Sequence, residues 1–361
     1  MNSEFERFAN QVKEHIFENV ADRDNLLIEL HNTQKVNQMD QISLTVRHKD
    51  CNVAPSVPLS AAFDAYKDGE SLENILHSIE NSIVSHTPTQ DIDVKFVTEY
   101  DNVKDQIIPK IVNTDMNKEL LDRVPHFNLG DLSVLFAIKL DHPEIGGGQI
   151  TVTNQVFDEW GVDDSRIMAE ALANMKESTQ CKDLFGVIAD MNPEMADMFP
   201  AIENGPLIIS NDDMLFGATS IMNMDVMKTL TERIGDGIMI IPSSVHECLV
   251  LKDEHSQEQK AALNSMVHEV NQTTVAKEDF LSDHIYHFNG EKLMMIDRTT
   301  LEQIPMELVS AQTGKVFELD NTSADKNKNK EKGSVISKLQ EKQGIVNIDD
   351  HKNNKRDDIA L

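Results

Sequence analysis

Two short apolar strands followed by an amphipathic helix recur four times along this 361-residue chain. The clearest copy runs from Asp236 to Val270: GIMIIP, then SVHECLVL, then a helix opening at Ser256. A second spans Asp131 to Met175, a third Pro206 to Ile234, and a looser one Leu26 to Ile83. Strands apolar on one face and helices with one apolar stripe each need another element to cover them. Their repetition predicts antiparallel sheet covered by helices on one face. The expected fold class is α+β, built of repeated β-β-α units, with a disordered C-terminal tail.

Local signals give the pass along the chain its detail. Phe5, Phe8, Val12 and Ile16 share one face of a helix over about Ser3–Val20, and strands follow at Leu26–His31 and Ile42–Arg47. Ser71 is placed to cap a helix whose stripe is Leu72, Ile75, Leu76, Ile79 and Ile83. Asp91–Val124 reads as largely helical with a break at Pro109. Leu132, Val134, Phe136, Ile138 and Leu140 alternate as a half-buried strand does. PEIGGG reads as a turn before a strand over Gln149–Thr153.

A helix beginning near Asp163 presents Ile167, Met168, Ala171, Leu172 and Met175. Glu177–Gly205 is a Met- and Pro-containing excursion, and its Met191, Met195 and Met198 read as core filling. Pro206–Ser210 and Met214–Thr219 predict a hairpin. Asn223 caps the next helix, Gly235 ends it, and Ser256 with Gln259 forms a capping-box pair. Asn289-Gly290 predicts a type I′ turn in the last hairpin. The predicted core includes Val134, Phe136, Leu230, Ile240, Val250, Leu263 and Met266.

These elements place an α+β body over residues 1–297, with a possible sub-boundary near 86–92, and an extension over 298–319. Residues 320–361 are rich in Lys, Asn and Asp with almost no aromatic content, so a disordered tail is expected there.

Net charge is −29, and the tail holds nearly equal numbers of basic and acidic residues, so the acidic excess lies in the body. Such a surface repels nucleic-acid phosphates, and no direct nucleic-acid binding is expected. Docking to a basic partner or imitation of the DNA backbone remains open. Cys51, Cys181 and Cys248 are too few and too widely spaced for a disulfide framework, and they read as reduced thiols. The N-terminus lacks the pattern of a signal peptide, and no stretch approaches the roughly 20 apolar residues of a membrane helix. A cytoplasmic protein without membrane contact is expected.

The candidate site is IPSSVHECLV, where Ser243, Ser244, His246, Glu247 and Cys248 fall between two strands. Serine or cysteine chemistry needs a base within hydrogen-bond reach and a third group to orient it. If the segment is extended, His246 and Glu247 point to opposite faces, and Pro-Ser-Ser is an ordinary way to turn a hairpin. No acid is evidently paired with His246. Gly146–Gly148 lacks both the GxGxxG spacing and the Lys-Ser/Thr of a phosphate loop. His284 and His287 diverge if extended, and no HExxH occurs, so no metal and no cofactor is expected.

Several stretches resemble a family of uncharacterised bacterial, clostridial proteins known only as a domain of unknown function. They are NVAPSVPLSAAFDAYKDGESLENI, KIVNTDMNKELLDRVPHFNLGDLSVLF, ITVTNQVFDEWGV, GDGIMIIPSSVHECLVL and VNQTTVAKEDFLSDHIYHF. The family usually shows aromatic residues in the stretch matched here by PLSAAFDAY, where Leu59 and Ala61 sit among them. The resemblance implies no reaction and no catalytic residues. The expected function is that of an accessory or protein-interaction protein with a protein partner. The alternatives are a hydrolase-like or nucleotide-handling enzyme using the Ser243–Cys248 turn, and an acidic DNA mimic that blocks a DNA-processing enzyme.

Overall fold

The computed structural model of the chain describes residues 3–21, 23–51, 54, 56–87, 95–142, 146–184, 187 and 205–319. Most of the possible sub-boundary at 86–92, the Met191–Met198 run and the tail from Asp320 lie outside the described residues.

The N-terminal layer opens with helix α1 (Ser3–Asn19). Strands β1 (Leu26–Lys35) and β2 (Met39–His48) pair antiparallel from Leu26↔His48 to Lys35↔Met39, and β3 (Ser56–Pro58) joins β2. Helices α2 (Ser60–Lys67) and α3 (Leu72–His86) complete the layer, and the Ser71 hydroxyl accepts from the Asn74 N–H as a cap. The predicted stripes meet here: Phe8, Val12 and Ile16 of α1 pack with Leu44, Phe63, Ile75, Ile79 and Ile83.

Asp91–Val124 is not largely helical. After the short helices α4 (Lys95–Thr98) and α5 (Tyr100–Val103) comes strand β4 (Ile107–Asn113), followed by α6 (Lys118–Leu121). Pro109 pairs opposite Phe136 inside β4. It is tolerated because β4 is the edge of its sheet, where a missing N–H breaks no ladder. Strands β5 (His126–Leu129), β6 (Leu132–His142) and β7 (Gly146–Thr151) follow. Gly146–Gly148 therefore lie in a strand opposite His142–Leu140, not in a turn. From Leu132 to Ile138 strand β6 is buried on both faces. Val134, Phe136 and Ile138 enter the main core, while Leu135 packs with Val112, Leu121 and Val124 behind it.

Helices α7 (Asn154–Trp160) and α8 (Asp164–Ser178) lead to β8 (Thr179–Asp183) and β9 (Leu207–Asn211). Asp163 caps α8, whose Ile167, Met168, Ala171, Leu172 and Met175 are all buried. Met214–Thr219 is not a strand. It forms a turn and the start of a 3-10 segment (Gly217–Met222), and β9 pairs instead with β8 and β11. Helix α9 (Met224–Ile234) is capped by Asn223.

The remaining elements are β10 (Ile238–Pro242), β11 (Cys248–Lys252), α10 (Gln257–Thr273), β12 (Tyr286–Phe288) and β13 (Leu293–Ile296). Strands β14 (Gln303–Pro305), β15 (Leu308–Ser310) and β16 (Val316–Phe317) close the described chain. In the β12–β13 hairpin Phe288 pairs with Leu293, and Asn289 Oδ1 accepts from the N–H groups of Glu291 and Lys292. The type I′ expectation fails because only Gly290, and not Asn289, takes a positive φ.

Three antiparallel sheets result, in an α+β fold. The seven-stranded sheet runs β14-β13-β12-β10-β11-β9-β8, and the six-stranded one β16-β15-β5-β6-β4 with β7 also on β6. The main core lies between them: Val134 and Phe136 from one, Ile240 and Val250 from the other, Leu230 from α9. Residues 298–319 supply strands to both sheets. The chain crosses at Met306, whose N–H bonds to Leu293 and whose side chain is buried.

The seven-stranded sheet is covered on its second face as well, where Met239, Ile241, Val267 and Leu263 pack together. The buried positions of α10 are Lys260, Asn264 and Val267, whereas Met266 and Val270 are exposed. Its inward face is thus rotated from the predicted one. The Ser256 hydroxyl accepts from Gln259 N–H as expected, but the Gln259 side chain returns to Glu254 N–H.

Candidate functional site

The five residues Ser243–Glu247 join β10 to β11 as a turn, so His246 and Glu247 are not neighbours in a strand. Both serines serve Glu247. The Ser243 hydroxyl lies 3.0 Å from Glu247 O and 3.1 Å from its Oε1, and the Ser244 hydroxyl donates to Oε1 at 2.9 Å. The His246 N–H in turn donates to Ser244 Oγ at 3.0 Å. The turn is closed by its own side chains.

His246 is engaged at both ring nitrogens. Nδ1 accepts from the Phe216 N–H at 3.3 Å, which leaves the ring proton on Nε2, 3.1 Å from Asp279 Oδ1. The expectation that no acid pairs with His246 is therefore corrected. The partner stands 33 residues downstream and is brought in by the 3-10 turn Lys277–Asp279. The same turn accepts the Val245 N–H at Asp279 O. A serine nucleophile needs a base with a free nitrogen beside the hydroxyl. Here the imidazole faces a backbone N–H and a carboxylate, and the hydroxyls face Glu247. Cys248 is fully buried, and burial, with Glu247 nearby, pushes its thiol pKa far up, so it is a poor thiolate.

Around the turn stand residues that sequence reasoning missed. Phe216, beside His246 with ring centroids 5.8 Å apart, also lies under Lys110, whose Nζ is 4.3 Å from the ring centroid. Lys110 is buried in β4, and burial lowers its pKa to about 8. The available signal was a lysine inside the otherwise apolar IIPKIV.

Upstream of Phe216 the loop is gripped by Asn211, whose side chain takes the Leu215 N–H at 3.1 Å and gives to Leu215 O at 2.8 Å. Met214 and Phe216 both sit at positive φ, 55° and 54°. Between them Leu215 is half exposed.

His284 and His287 separate as expected. His284 meets Asp131, and His287 meets Asp253. Among the described residues, His15, His77 and Glu80 bring three metal-capable atoms within 4.8 Å of one another, a set that no local motif in the sequence marks. A pocket lined by Met116, Asn271, Val275, Lys277 and Phe280 has a volume of about 220 Å³, smaller than the roughly 300–1,000 Å³ of ordinary ligand sites. No helix among the described residues is long and apolar enough to cross a membrane.

The model of a family of unknown function, DUF5688, matches residues 5–290. The chain belongs to DUF5688. That match takes in the N-terminal layer, most of both large sheets and the whole His246 turn. Comparison of this DUF5688 chain with curated proteins and with solved structures gives no match.

Proposed function

We propose that this DUF5688 chain is a non-catalytic interaction protein whose contact element is the loop Asp212–Leu215. The observation that carries the reading is a strained loop held from several sides so that it presents two adjacent apolar side chains. Met214 and Leu215 are 41% and 50% exposed. Left-handed backbone at a non-glycine residue costs roughly 1 kcal/mol or more, and persists only where the surroundings impose it.

Here Asn211 fixes Leu215, His246 fixes the Phe216 N–H, and Gly217 seats the chain against Ser210 and the turn. The candidate turn then has a role without catalysis: it is the anvil for the loop. Asp212 precedes the apolar pair together with Asp213, which is paired with Lys139, and the chain carries a net charge of −29. The partner chemistry that fits is a basic protein surface with an apolar recess.

The test is affinity purification of the full chain from its native host, comparing wild type with Leu215→Ser at low salt and at about 0.5 M salt. The expected result is a stoichiometric basic partner that is lost in the variant and at high salt. A partner retained by Leu215→Ser overturns the reading. So does ester or phosphoester hydrolysis by the wild type that His246→Gln abolishes at unchanged stability, which moves the hydrolase reading to first place.

A further inference from the structure

We infer that His15, His77 and Glu80 form a binding site for a divalent transition metal of the zinc class, which staples α1 to α3. His77 and Glu80 are three residues apart on α3 and share a face, and His15 approaches from α1. His15 Nε2 lies 3.1 Å from Glu80 Oε2, and His77 Nδ1 lies 3.6 Å from the same oxygen. All three ligand atoms fall within 4.8 Å of one another. Donors held tetrahedrally around zinc at about 2.0–2.2 Å stand about 3.4 Å apart. Small side-chain rotations close this triangle onto one ion.

A simple hydrogen-bonded clamp accounts for only part of this geometry. His15 and Glu80 bond directly, but His77 Nδ1, 3.6 Å from the shared oxygen, is beyond hydrogen-bond distance. The two rings cross at 85° with centroids 5.8 Å apart, an arrangement that lets both nitrogens approach a common point.

The donor set selects the ion. Two imidazoles and a carboxylate suit zinc and its neighbours, whereas calcium and magnesium take oxygen shells. Three protein ligands leave a fourth position for water. His15 and Glu80 are part-buried, and the exposed His77 marks the path of entry.

Behind His15 stands Asn19, its Nδ2 3.2 Å from Nδ1 and 2.9 Å from the His15 carbonyl. In the metal-free form that N–H donates to Nδ1, so the ring proton sits on Nε2 and points at Glu80. Metal binding takes the Nε2 lone pair. The ring proton must then move to Nδ1 through solvent, where it meets the Asn19 Nδ2 donor that the His15 carbonyl holds in place. Asn19 thus holds the metal-free tautomer, against which the ion binds.

The experiment titrates untagged full-length protein with Zn²⁺ by calorimetry and with Co²⁺ by absorption. The expected result is one equivalent bound, the intense visible d–d band of four-coordinate cobalt, and a raised melting temperature. His77→Ala changes an exposed side chain and should keep the fold while abolishing all three signals. The proposal fails if the wild type shows no saturable binding up to about 100 μM Zn²⁺. It fails equally if His77→Ala binds with unchanged stoichiometry and affinity.

Discussion

Asn37 and Asn117 are bonded to each other twice. The Asn37 N–H donates to Asn117 Oδ1 at 2.6 Å, and Asn117 Nδ2 donates to Asn37 Oδ1 at 2.9 Å. Asn37 stands at the tip of the β1–β2 hairpin with φ 65°, and both residues are buried. Its own Nδ2 reaches the carbonyls of Lys277, Glu278 and Phe280 at 2.8–3.0 Å. The N-terminal layer is thereby plugged into the body. The turn it grips also carries Asp279, the partner of His246.

Asn37→Ala should cost about 2–4 kcal/mol, because it leaves Asn117 and several carbonyls short of partners. Asn37→Asp should cost more, since it sets a carboxylate against three carbonyl oxygens. Urea unfolding gives the magnitudes. Hydrogen exchange should show lost protection at the β1–β2 tip with β5 and β6 unchanged, and uniform loss would mean that the plug is not local.

Gly217 marks the closest approach in the loop. A Cβ placed there would stand 2.1 Å from Ser210 Oγ, 2.5 Å from His246 O and 2.7 Å from Asn211 N. Two of these neighbours are backbone and cannot step aside. Gly217→Ala should therefore destabilise by about 2–3 kcal/mol and displace Leu215. A melting temperature within a degree of wild type would show that the backbone there yields.

Where the chain obeyed one period, its elements were readable. Val134, Phe136 and Ile138 alternate and Ile167 to Met175 recur helically, and both sets are buried as expected. Strand β4 was hidden because Pro109 and Lys110 interrupt an apolar run; its edge position tolerates the proline, and Lys110 is buried at a cost. Met214–Thr219 has strand composition, yet Gly217 packing and the Asn211 grip turn it away from the sheet. The candidate turn was legible as Pro-Ser-Ser, but its partners Phe216 and Asp279 stand 30 residues before and 33 after His246. Contacts of that range are set by topology, which local pattern does not carry. The same holds for His15, which only packing brings to His77 and Glu80.

Lys110 contributes a cost that a simple substitution removes. It is buried, with Nζ over the Phe216 ring, and no carboxylate pairs with it among the described residues. Lys110→Met should stabilise the fold by about 1–3 kcal/mol at pH 7. The sign with pH follows from a folded pKa of about 8 against an ordinary 10.5. Between these values the unfolded chain binds more protons, so the wild type should gain stability as pH rises from about 8 to 10.5. The variant should lack that gain in denaturant titrations, and equal slopes would place Lys110 in water.

His287 should give the opposite end of the pH profile. It is buried in β12, with Nε2 3.0 Å from the buried carboxylate of Asp253. Burial lowers its pKa, and Asp253 pulls upward without cancelling the effect. The unfolded imidazole, with its ordinary value of about 6.5, then takes up a proton at a pH where the folded one remains neutral. Stability contributed by neutral His287 is present above about 6.5 and is lost as pH falls from there toward the folded value. His287→Gln should start lower in stability and show a shallower fall between pH 7 and 5 when unfolding is followed in urea. If the variant falls as steeply as the wild type, another group sets the acid limb. If the wild type instead gains stability on acidification, the Asp253 pairing outweighs burial and the sign assigned here is wrong.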